Sequence, residues 1–109
     1  MTSRKAALGE LETLVMLAVL RLGNEASVRR IRDEIGARAG RRLSRGATYA
    51  TVSRLGRKGL LTLHVEQSVS GGRADHRFEV TGEGLETLRT AQAYLDRMRA
   101  GLESILDAS

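Results

Sequence analysis

From Gly9 to Leu22 the chain is apolar on two sides at once. Leu11, Leu14, Val15, Ala18 and Leu22 fall at helical spacing, while Met16, Leu17, Val19 and Leu20 make the other side apolar as well. A helix of that make-up must be covered nearly all round, and in so small a chain a second subunit is the natural cover. Gly23-Asn24 ends it. Ser27 then caps a second helix whose inward residues are Val28, Ile31 and Ile35, with Arg29, Arg30, Arg32 and Arg38 facing out and Gly40 closing it. After Arg41-Arg42-Leu43, Ser44 caps a third helix in which Thr48, Val52 and Leu55 point inward, and Gly59 supplies the stop.

The period then changes. Leu61, Leu63 and Val65 alternate with Thr62, His64 and Glu66; beyond a Ser70-Gly71-Gly72 turn, His76, Phe78 and Val80 alternate with Arg77 and Glu79. This predicts a two-stranded hairpin with Arg73 at its tip. Thr81 caps a final helix in which Leu88, Ala91, Leu95, Met98, Leu102 and Ile105 keep a strict alternation of three and four residues. Such a seam needs a partner helix: the first helix of the same chain, the same helix of a second copy, or both. A homodimer is expected, with Leu14 and the six seam residues at its interface.

Composition narrows the class. At 109 residues one core is the natural expectation. Three aromatics and no Trp leave Leu, Val, Ile and Ala to fill it, which suits packed helices better than a sandwich. The absence of cysteine removes disulfides, thiolate metal sites and cysteine nucleophiles, so the cytoplasm is the expected compartment. The run Leu14–Leu20 is too short to span a bilayer, and no membrane association is expected.

Charge is polarised. Residues 29–77 hold twelve Lys/Arg and four Asp/Glu, a net of +8, whereas the remainder carries −3. A patch of that sign concentrates polyanions and makes nucleic acid the leading partner. Catalytic and metal chemistry find little support. His64 and His76 are too few for a metal site without Cys. Asp75-His76 with Ser44 or Ser53 offers the residue types of a hydrolytic triad, but without a nucleophile elbow or oxyanion loop. The glycines at 71 and 72 match no phosphate loop. A non-enzymatic chain without cofactor is the reading.

Three helices, a hairpin and a long helix, basic on the second, third and hairpin elements, is the order of a winged helix-turn-helix protein that is mostly α with a small β-hairpin. Residues 1–81 form the expected DNA-binding domain and 82–109 the dimerisation helix. The third helix would enter the major groove of double-stranded DNA. The expected contacts are Ser44, Arg45, Thr48, Tyr49, Ser53, Arg54, Arg57, Lys58, Arg73 and Arg77. Arg45, near the helix start, is the better base reader; Arg54 suits a phosphate; Arg57 and Lys58 suit phosphates or simply the helix C-terminus. A winged-helix docking module that binds protein instead of DNA is the alternative.

The chain also resembles the PadR-like transcriptional regulators. The resemblance rests on Leu8-Gly9-Glu10-Leu11-Glu12, Arg32-Asp33-Glu34-Ile35, the run from Gly46 to Leu55, Lys58-Gly59-Leu60, Gly71-Gly72-Arg73, and the run from Phe78 to Gly84. It implies a homodimeric repressor on a palindromic or near-palindromic operator, with Tyr49 at the DNA face. Family members also bind planar aromatic effectors near the dimer interface, some between indole rings. With no Trp here that version is excluded, and Tyr94, Met98, Leu14 and Met16 read as dimer core before they read as a pocket. The identity of any small-molecule effector stays open.

Overall fold

Short polar side chains start three of the helices. In the computed structural model, which describes residues 8–66 and 75–107, Ser27 Oγ accepts the Arg30 N–H (3.2 Å) to open α2, Val28–Ala39. Ser44 Oγ accepts the Ala47 N–H (3.0 Å) to open α3, Arg45–Arg57. Thr81 Oγ1 accepts the Gly84 N–H (2.9 Å) to open α4, Gly82–Arg99. Each satisfies a backbone donor that the first turn would otherwise leave unpaired. The first helix, α1, Glu10–Leu22, begins differently: the Glu12 carboxylate reaches back to the Gly9 N–H at 3.0 Å.

Val15, Met16 and Val19 of α1, Ile31 and Ile35 of α2, and Val52 and Leu55 of α3 meet in one core. The hairpin closes its side. Strand β1, Leu61–Glu66, pairs antiparallel with β2, Asp75–Val80, in the register Leu61↔Val80 and Leu63↔Phe78. Leu60, Leu61 and Phe78 belong to the core, and the Phe78 N–H donates to the Ala26 carbonyl at 2.9 Å, which ties β2 to the connection between α1 and α2. Leu63 and Val65 are exposed, because the strands run outward past the helices that would have covered them.

The final segment differs from the sequence expectation in two ways. Leu88, expected at the dimer interface, is only 4 % exposed and packs in the core of its own chain: the first turns of α4 are anchored by Gly84, where an added Cβ would overlap the Leu60 carbonyl. The helix also stops at Arg99, so the seam from Leu88 to Ile105 is not one continuous helix. Gly101 takes φ +88°, a region that L side chains rarely adopt, and its N–H donates to Glu103 Oε1 at 3.1 Å. A short α5, Glu103–Leu106, follows. Leu95, Met98, Leu102 and Ile105 are all exposed. Among the described residues no helix is long and apolar enough to cross a membrane.

Candidate nucleic-acid interface

Helix α3 divides into faces. Thr48, Thr51, Val52 and Leu55 are buried, and 3.6-residue periodicity puts Gly46, Ala50, Ser53 and Arg57 on the opposite, outward row. Small residues there let the helix backbone approach a partner closely. On the hairpin side stands Tyr49, 59 % exposed, at the edge of a groove of about 390 Å³ lined also by Ser53, Arg57, Leu63 and Phe78. Arg45 is exposed at the helix start, just beyond the capping Ser44. A polyanion meeting this face would find the outward row at its centre, Arg45 at the N-terminal end and Arg57 at the C-terminal end.

The side toward α1 is built around one carboxylate. Glu12 is 6 % exposed. Its Oε2 accepts Arg54 Nε at 3.1 Å and Lys58 Nζ at 2.9 Å, while its Oε1 accepts the Gly9 N–H. Burial alone would raise its pKa, but the Gly9 N–H and the two cations outweigh burial and hold it below the ordinary carboxylate value.

Two residues expected at the interface stand elsewhere. Thr48 is fully buried, and its hydroxyl donates to the Ser44 carbonyl at 2.9 Å; it packs α3 and cannot reach a groove. Arg77 donates through Nη1 to the Asn24 carbonyl at 3.2 Å, on the hairpin face opposite Leu63 and Phe78, so strand alternation turns it away from α3. Arg73 lies outside the described residues. His64 sits 2.7 Å from Glu79, and among the described residues no group of three or more His, Asp or Glu could hold a metal.

No protein-family profile matches the chain, nor does any curated protein sequence. Solved structures do. A PadR family transcription regulator from a hypervirulent Clostridium difficile superposes with a TM-score of 0.73 at 18 % identity, over 90 % of this chain and 99 % of that one. A PadR-like transcription factor from Bacteroides fragilis gives 0.73 at 24 %, over 94 % and 92 %. A PadR family transcriptional regulator from Eggerthella lenta gives 0.67 at 26 %, over 92 % and 88 %. The chain shares the fold of these PadR family regulators. Its hairpin is accordingly the wing of a winged helix.

Residues that carry the PadR-like resemblance in sequence are, in the structure, those that fix this frame. Arg32 Nε donates to the Leu43 carbonyl at 3.2 Å and holds the turn between α2 and α3. Gly59, at φ +78°, turns the chain out of α3 toward the wing. Gly84 admits the Leu60 backbone. Glu12 was given no role by sequence reasoning, although one signal pointed to it: an acid placed inside a helix that is otherwise apolar nearly all round has to find cations when buried.

Proposed function

We propose that this PadR-like chain is a DNA-binding transcriptional regulator, a homodimeric repressor acting in the cytoplasm on a palindromic or near-palindromic operator. The carrying observation is the outward row of exposed Gly46, Ala50 and Arg57 with half-buried Ser53 on a capped helix beside a wing, in a segment of strongly positive net charge. The likeness to solved PadR family regulators supports it. In this reading α3 enters the major groove and Arg45 reads base edges. Tyr49, Arg54, Arg57, Lys58 and Arg73 contact phosphates, which position the protein without reading sequence.

Residues 1–81 act as the DNA-binding domain and 82–109 as the dimerisation segment. Two features support a dimer. The exposed apolar residues of α4 and α5 include Met98 at 76 % and Ile105 at 70 %. An apolar groove of about 540 Å³ between α1 and α2 is lined by Leu14, Leu17, Leu20, Ile35 and Ala39. The C-terminal segment of a second copy covers both in this reading, and two-fold symmetry then calls for half-sites about 34 Å apart.

Fluorescence anisotropy with a labelled duplex from the region upstream of the protein's own gene, against a scrambled duplex at two salt concentrations, tests this. Binding to the upstream duplex tighter by about a thousandfold and falling steeply with salt is expected. Negligible binding to either duplex at low salt would replace the regulator with a winged-helix protein-docking module.

A further inference from the structure

We propose that Glu12 is a positioning residue for DNA recognition, acting through Arg54 and Lys58 on the recognition helix; the inference rests on the reading of α3 as that helix. Glu12 is the buried charged side chain among the described residues. It belongs to α1, yet its Oε2 holds two cations that stand four residues apart on one side of α3, at 3.1 and 2.9 Å. Replacing such a buried charge cluster with apolar side chains is often neutral or favourable for stability, so stability alone is a poor account of it. Its geometry serves something else.

Contacts from one carboxylate to two successive turns fix the rotation of α3 about its own axis, which is what keeps the outward row of Gly46, Ala50, Ser53 and Arg57 aimed into the groove. The Arg54 guanidinium uses Nε on Glu12 and Nη2 on Thr51 Oγ1 at 3.5 Å, while its side chain remains 43 % accessible, so it is held in place and still open to a partner. Charge is set as well. One anion against two cations leaves this side of the helix a single net positive charge, which moderates sequence-independent attraction to phosphates. Glu12 therefore favours discrimination over raw affinity.

The test compares the full-length wild type, Glu12→Gln and Arg54→Gln, and the double variant, by anisotropy. One duplex is enriched by the wild type from a randomised pool; the other is its scrambled counterpart. For Glu12→Gln the ratio of the two affinities should fall tenfold or more. Its binding to the scrambled duplex should be unchanged or tighter, with a salt dependence steeper by about one released counterion. In the Arg54→Gln background the same substitution should alter the ratio by less than it does in the wild type, since coupled residues do not add and only the Lys58 contact remains. A purely structural role would weaken both duplexes alike. An unchanged ratio with an unchanged salt slope in folded Glu12→Gln would overturn the proposal. Should that variant not fold, Glu12→Asp, which keeps the charge but shortens its reach toward Arg54 and Lys58, decides by the same ratio, an unchanged value overturning the proposal. A wild type that enriches no sequence would instead overturn the DNA-recognition reading itself.

Discussion

Glu12 keeps its charge in the folded chain because a backbone N–H and two cations offset its burial. Its pKa is lowered on folding from an unfolded value of about 4.3. Its stabilising contribution is therefore complete above that value and is lost as pH falls through the lower folded value. At neutral pH, Glu12→Gln should cost about 1–3 kcal/mol, and the gap to wild type should narrow below about pH 4, as read from urea midpoints across pH. Gly84→Ala places a methyl on the Leu60 carbonyl; overpacking of this kind costs about 1–3 kcal/mol, measurable by the same titration at neutral pH. Arg45, exposed at the start of α3, is argued from reach: Arg45→Ala should lose about 1–3 kcal/mol on a specific duplex and much less on a scrambled one, by competition anisotropy.

Caps and breaks decide the elements. Ser44 was legible as a helix start because an oxygen two or three residues before the first free N–H groups is what such a start requires. Ser44→Ala should cost about 1 kcal/mol and lower affinity for specific DNA, since the frayed turn is the one that carries Arg45; thermal melting and anisotropy together check it. The hairpin was legible from its alternation, but the destinations of its side chains were not. Arg77 and Phe78 are neighbours in sequence, yet one binds the Asn24 carbonyl and the other enters the core. The end of α4 was misread because a heptad pattern runs through Gly101 without interruption, whereas a glycine at φ +88° halts the helix.

At the scale of the whole molecule, apolar side chains gather at the surface on α1 beside α2 and along α4 and α5, apart from those of the hairpin. Contiguous patches of that kind mark an interface. Leu95 and Met98 are exposed in the single chain, so replacing both with Glu should leave the fold intact while driving the protein to a monomer in sedimentation velocity. Loss of the two-fold arrangement should then weaken DNA binding by tenfold or more, because a single half-site cannot draw on its neighbour.

Periodicity and cap residues by themselves determined α1 to α3, the start of α4, the two strands and the inward residues Val52 and Leu55, because each depends on neighbours within about four positions along the chain. They also located the basic segment, since charge is a property of composition. Only the tertiary structure decided which expected contacts are open to a partner. Thr48 and Leu88 proved to be core, and Arg77 proved to be turned onto a backbone carbonyl. It decided the partners of Glu12 for the same reason: the carboxylate and its two cations are 42 and 46 residues apart, and no local pattern records a contact made across that distance.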